Sequence, residues 1–134
     1  MSGYVLDTSA LLAHFRQEAG WDRVQTILED DSAEVHLSAL SIAEMARCLF
    51  NFGSNQDDAR STALAYGNLA TSVIPVDTAI AVRAFEFGTC CSGRLPLADA
   101  LIAACASVIG AVLVHRDAHF DSIADTLLHK EMLT

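Results

Sequence analysis

Tyr4-Val5-Leu6-Asp7-Thr8-Ser9-Ala10-Leu11-Leu12 is the stretch that decides the fold. An apolar run of strand character ends in a carboxylate, and a helical apolar pattern follows at once. The remainder of the chain repeats that alternation. Tyr4 to Leu6, Val35 to Leu37, Val73 to Val76 and Ala111 to Val114 read as strands. Segments near residues 21–30, 39–52, 57–72, 78–91 and 96–109 read as helices. Asp77 and Pro96 are start signals for two of these helices, and Gly110 is a stop signal. Strands alternating with helices specify an α/β fold with a parallel sheet covered on both faces.

The 134 residues suit one compact domain, 1–134, with a core of useful size. At 52% hydrophobic and 19% charged, the composition excludes a disordered chain. The apolar stretch from Leu95 to Val114 is broken by Asp99, Ser107 and Gly110, so it reads as helix, turn and strand, not as a membrane span. No repeat or linker interrupts the chain, and Ser54 to Asp58 reads as a mobile polar connection.

The net charge of −9 argues against a broad basic platform for nucleic acid. Seven of the eight basic residues are arginines, thinly spread, with Arg94 and Arg116 close to acids of interest. Cations can nevertheless bridge an acidic protein to phosphate. Cys48, Cys90, Cys91 and Cys105 lack CxxC spacing, which argues against zinc. Three of the four lie in helical apolar stretches and read as small core residues, in keeping with a reduced cytoplasmic setting. The vicinal Cys90-Cys91 pair has no assigned role.

Four acids stand in small or apolar surroundings: Asp7, Glu44, Asp99 and Asp117. Each has a structural alternative. Asp7 and Asp117 follow strands, where an aspartate also serves as an N-cap. Ser41 and Glu44 match a capping box, unless the helix starts near Ser38 and leaves Glu44 more than a turn inside it. Asp99 sits in the first turn after Pro96, where the helix dipole favours a negative charge. Its helix is apolar on nearly every face, however, and has little need of an acid for solubility. Asp30-Asp31 and Asp57-Asp58 lie in polar surroundings and read as solvated. Ligands of open parallel sheets gather beyond the carboxyl ends of the strands, where Asp7 and Asp117 lie. Carboxylates gathered there repel unless a cation joins them. Oxygen ligation suits Mg²⁺ or Mn²⁺, and such ions promote in-line displacement at phosphorus.

Leu6-Asp7-Thr8-Ser9-Ala10-Leu11-Leu12, Ser41-Ile42-Ala43-Glu44, Leu97-Ala98-Asp99-Ala100-Leu101-Ile102-Ala103 and Arg116-Asp117-Ala118-His119-Phe120 together resemble the ordered motifs of PIN domains, in particular VapC-type toxins of toxin–antitoxin pairs. The resemblance implies a PIN-like three-layer α/β/α sandwich with a central parallel sheet. It implies a Mg²⁺- or Mn²⁺-dependent endoribonuclease, an RNA substrate, a homodimer and a cognate VapB-type antitoxin. Carried over by motif, Asp7, Glu44, Asp99 and Asp117 form the catalytic and metal-binding set, and Ser9 is a supporting hydroxyl. Many members have an acid two residues after the fourth acid and a Ser or Thr two residues before it. Here those positions hold His119 and His115, both expected at the surface, with phosphate contact as the alternative role. Asp121 is the shifted candidate for the absent acid, and Arg94 and Arg116 are further supporting candidates.

Two other readings differ in kind. A receiver-type phosphoacceptor domain also has an acidic Mg²⁺ pocket, but it expects adjacent acids after the first strand and a lysine after a late one. Here the first strand carries one acid, and the only lysine is Lys130. A catalytically inactive PIN-like interaction module would keep the fold without the chemistry. The apolar helical hairpin around residues 39–72 is one candidate partner surface.

Overall fold

The computed structural model describes residues 2–134. Its strands are β1 (Ser2–Leu6), β2 (Ala33–Ser38), β3 (Ser72–Ile74), β4 (Val112–His115) and β5 (Lys130–Met132). Its helices are α1 (Thr8–Arg16), α2 (Trp21–Glu29), α3 (Ala39–Asn51), α4 (Gln56–Leu69), α5 (Thr78–Cys90) and α6 (Leu97–Ile109), with a 3₁₀ turn at Ala118–Ser122. The strands form one five-stranded sheet in the order β3-β2-β1-β4-β5, and every pairing is parallel. The expected α/β architecture is therefore present.

The period of two along a strand divides the core. Val5 and Leu113 face one side with α5 and α6, together with Phe120, Ile123 and Leu128. Leu6 and Val114 face the other side with α1, α2, α3 and α4. Alanines at 100, 103, 104 and 106, all buried, let α6 lie close against the sheet and α5. Complete burial of a side chain such as Phe120 or Leu113 stabilises the fold by about 1.5–3 kcal/mol each.

Helix boundaries follow local chemistry. Asp7, Ser38, Asn55 and Asp77 cap α1, α3, α4 and α5 with side-chain oxygens. Gly110 ends α6 with a φ of 71°. Pro96 occupies the position before the first turn of α6, one residue earlier than a Pro within that turn. The expected loop from Ser54 to Asp58 is shorter than anticipated: Asn55 caps, so Gln56, Asp57 and Asp58 form the first turn of α4. Pro75, which lacks an N–H, follows Ile74, and β3 stops there rather than at Val76.

Three of the expected core cysteines prove to be one. Cys105 is buried, Cys48 and Cys91 are half-buried and Cys90 is exposed, all with free thiols. Cys48 and Cys90 lie off the buried stripes of their helices, which run through Met45 and Leu49 in α3 and through Ala84 and Phe87 in α5. Among the described residues, no helix is long and apolar enough to cross a membrane.

Gly20 ties the α1–α2 corner to the chain's end. Its φ is 93°, and an added Cβ would stand 2.7 Å from Leu133 Cβ. Gly20→Ala is expected to lower unfolding free energy by about 2–4 kcal/mol, combining left-handed strain with overpacking. Urea unfolding at neutral pH measures this directly.

Candidate functional site

Strand order locates the cleft. From β1 the chain steps outward to β2 and β3, then returns across the sheet to β4 on the opposite side of β1. The carboxyl ends of β1 and β4 thus flank the point where the winding reverses, the place where open α/β sheets form a crevice. Leu6 pairs with Val114 there, and the Asp7 N–H donates to the Val114 carbonyl at 3.1 Å. Asp7 and Asp117 are each delivered to this crevice by the residue order alone.

Asp7 is both cap and buried acid, so the two readings of it are not exclusive. Its Oδ1 accepts from the Ala10 N–H at 2.9 Å and from the Ser9 hydroxyl at 2.7 Å. Only 3% of the residue is exposed. Burial pushes its carboxyl up to about 7, against the lowering effect of those hydrogen bonds, and the Asp99 charge adds to the rise. Ser9 has a second duty, accepting from the Arg116 N–H at 2.8 Å. It therefore joins the end of β4 to the start of α1.

Ser38 caps α3, and this excludes the capping box at Ser41. Glu44 lies more than a turn inside the helix, where its Oε1 accepts from the Thr8 hydroxyl at 2.6 Å. Thr8 Oγ1 also lies 3.3 Å from the buried Ser41 hydroxyl. Asp99 sits in the first turn of α6. Burial raises its carboxyl above the usual range; the His119 hydrogen bond opposes this, and the Asp117 and Glu44 charges reinforce it. Asp117 caps the 3₁₀ turn through Oδ1, which accepts from the His119 N–H at 2.9 Å. Asp99 is thus the common neighbour: its charge adds to the rise at Asp7, and the charges of Asp117 and Glu44 add to its own.

His119 completes the cluster. Its Nδ1 lies 2.9 Å from Asp99 Oδ2 and 3.1 Å from Asp117 Oδ1. One donor atom from each of Asp99, Asp117 and His119 lies within 4.8 Å of the others, a spacing that one cation can bridge. The donor set suits a divalent cation: carboxylates with an imidazole, beside a buried acid whose ionisation a positive charge would favour. A nitrogen in this set departs from the oxygen-only ligation expected from the acids.

The two histidines of this segment have opposite fates. His115, expected at the surface, is buried at the end of β4. Its Nδ1 lies 2.9 Å from the Asp117 carbonyl oxygen, and its ring packs edge-on against Phe120 at 5.1 Å. Burial lowers its pKa, keeping the ring neutral. β4 extends one residue past the apolar run, which draws His115 inward. His119 is exposed, as expected, but is turned onto the two aspartates.

Asp121 does not take the place of the absent acid. It is not in the group formed by Asp99, Asp117 and His119 and lines a separate depression with His115, Asp125 and Lys130. Arg116 Nη1 pairs with Glu18 Oε1 at 3.0 Å. It lies with Ser9, Arg16 and Asp117 around a depression of about 320 Å³ beside the acids. Arg94 is exposed in the loop before α6 and makes no hydrogen bond to the acids among the described residues.

Ser9→Ala removes one bond from Asp7 and one from the exposed Arg116 N–H, which water can replace. Stability is expected to fall by about 0.5–1.5 kcal/mol. The Asp7 carboxyl is expected to titrate above 7, since the Ser9 bond lowers it. Carbon-13 NMR of the aspartate side chains reads that midpoint.

The model of the PIN domain family matches residues 4–126. No curated relative matches the chain in sequence. Among solved structures, a chain of VapBC2 from Rickettsia felis, bound to a DNA fragment from its promoter, is 17% identical with a TM-score of 0.77, over 98% of this chain and 99% of that one. VapBC-1 from nontypeable Haemophilus influenzae is 17% identical with a TM-score of 0.75, over 97% of each chain. Mycobacterium tuberculosis VapC20, described as a sarcin-ricin loop cleaving toxin, is 19% identical with a TM-score of 0.69, over 88% and 92%.

Proposed function

The chain belongs to the PIN domain family, and from that premise we propose that it is a divalent-cation-dependent endoribonuclease, the toxin of a VapBC-type pair. The observation that carries this is the cluster of Asp99, Asp117 and His119 beside the buried Asp7 at the reversal point of the sheet. Similar structures, a toxin that cleaves the sarcin-ricin loop among them, point the same way.

Asp99, Asp117 and His119 are the residues that would hold the ion. Mg²⁺ or Mn²⁺, when bound, supplies Lewis acidity for in-line displacement at phosphorus. Asp7 is fixed through Oδ1, which leaves Oδ2 to orient the attacking water and accept its proton. Water oxygen joins phosphorus, the bond to the leaving ribose oxygen breaks, that oxygen takes up a proton from solvent water, and Asp7 returns the proton it accepted to solvent. Glu44, anchored by Thr8, sets the negative potential that draws a cation in. Arg16 and Arg116 beside the acids offer guanidinium groups to flanking phosphates. The overall charge leaves little non-specific attraction for RNA, so recognition is local.

The antitoxin has a candidate seat on the α3–α4 hairpin. A groove of about 610 Å³ lined by Ala46, Phe50 and Ala59, with Arg47 and Arg60 at its edges, suits an apolar segment carrying acids. Homodimerisation is assigned to the exposed apolar residues of α5, Val82 and Phe85. A cytoplasmic location accords with the free thiols.

Purified chain incubated with RNA and Mg²⁺ or Mn²⁺ tests the reading. Discrete cuts that disappear with chelator are expected. Absence of cleavage across RNAs and both ions would leave an inactive interaction module in its place.

A further inference from the structure

His119 is the one group in the cleft that a hard oxygen-loving cation does not need. It is 49% exposed in its side chain, so burial does not explain its position. An exposed ring can swing into solvent, yet its Nδ1 stands between Asp99 Oδ2 and Asp117 Oδ1. Its own backbone N–H holds Asp117 Oδ1 from the other side. The 3₁₀ turn at Ala118–Ser122 fixes this arrangement, and the buried Phe120 next in sequence anchors the turn. Asp99 is held independently, on α6. Two rigid elements thus bring one nitrogen and two carboxylates within 4.8 Å of one another.

The geometry points to a mixed nitrogen–oxygen cation site in which His119 Nδ1 is a ligand beside Asp99 and Asp117 and directs selectivity to Mn²⁺ over Mg²⁺. This rests on the cleft being a cation site, as the proposed function requires. Mg²⁺ is small, sheds water reluctantly and takes oxygen donors at near-ideal octahedral angles. Imidazole nitrogen suits first-row transition ions, and carboxylates suit Mn²⁺ as well as Mg²⁺. Replacing a carboxylate by an imidazole in an otherwise acidic site therefore weakens Mg²⁺ more than Mn²⁺. It also removes one negative charge from a crowded cluster. Among the other histidines, His14, His36 and His115 have Nδ1 in hydrogen bonds to Tyr66, Ser72 and the Asp117 carbonyl. They do not compete for this role.

A histidine that is merely ion-paired to the two aspartates would instead be displaced by the cation, and the two accounts separate spectroscopically. The full chain is loaded with Mn²⁺ and examined by electron spin echo modulation, with calorimetric titration of Mn²⁺ and Mg²⁺ alongside. We expect nitrogen-14 modulation from a bound imidazole in the native chain and its loss in His119→Ala. In His119→Asp the ratio of Mn²⁺ to Mg²⁺ affinity is expected to fall at least about tenfold. His119 is exposed, so both variants are expected to keep the native fold, which is checked by circular dichroism; the metal-free His119→Asp chain is expected to melt earlier, because a third carboxylate repels Asp99 and Asp117. Mn²⁺ bound without nitrogen modulation, modulation that survives in His119→Ala, an unchanged ratio in His119→Asp, or no Mn²⁺ binding at millimolar concentration each overturns the assignment. RNA cleavage is scored separately. A nitrogen signature without cleavage removes the ribonuclease reading and keeps the site; cleavage with an all-oxygen Mn²⁺ environment does the reverse.

Discussion

Asp7→Asn is expected to abolish RNA cleavage and, in the same molecule, to stabilise the fold above neutral pH. Both effects come from one buried carboxylate. Asp7 is 3% exposed, and burial raises its pKa from 3.8 to about 7. Between those values the native state holds a proton that the unfolded chain has released. Stability therefore falls as pH rises through that window and levels off above about 7. A shift of about three units corresponds to roughly 4 kcal/mol of lost stability at pH 8. Asparagine carries no such penalty, and its amide oxygen can still accept from Ser9 and Ala10. Urea unfolding in chelator should show native stability dropping between pH 4 and 8, with Asp7→Asn lacking most of that drop. Cleavage should fall by about 10²–10⁴-fold, since an amide cannot accept the proton. A variant more stable and inactive marks a functional acid; one less stable marks a structural cap.

Adding Mn²⁺ should raise thermal stability by roughly 10 °C at a hundredfold excess over its Kd. That figure follows from binding linkage, about 2.7 kcal/mol, for a chain of this size. The increment should be larger at pH 8 than at pH 5.5. Asp7 and Asp99 both have raised pKa values, so in mild acid they keep protons that compete with the cation. Asp99→Ala should lose most of the increment while remaining folded, because it gives up the His119 contact but also relieves the cost of a partly buried carboxylate. Differential scanning calorimetry with and without chelator measures both. An equal shift in native protein and in Asp99→Ala would place cation binding elsewhere.

The sheet was legible because βα alternation and buried strands leave strong marks. Tyr4 to Leu6 and Ala111 to Val114 are apolar on both faces, as central parallel strands must be. β5 escaped notice because Lys130-Glu131-Met132 is an edge strand, short and charged in the way edges are protected. Within the cleft, Asp7 and Asp117 were visible as acids at strand ends. Glu44 stayed ambiguous until Ser38 proved to be the cap, since both serines suit that role. His115 and His119 were not separable by sequence. Their difference depends on β4 running one residue further and on a 3₁₀ turn that aims one ring at Asp99. Asp121, the shifted candidate, was not placeable for the same reason: its position depends on the 3₁₀ winding after Asp117, and it lies beside a depression with Lys130.

The central claim is that acids at the reversal of the sheet direct water at an RNA phosphodiester. RNA cleavage in water enriched in oxygen-18, with the fragment ends read by mass spectrometry, tests it most directly. The account predicts one oxygen-18 in the terminal phosphate at each cut made by the native chain, and no cuts with chelator or in Asp7→Asn. A 2′,3′-cyclic phosphate end, or cleavage that persists in both controls, would contradict it.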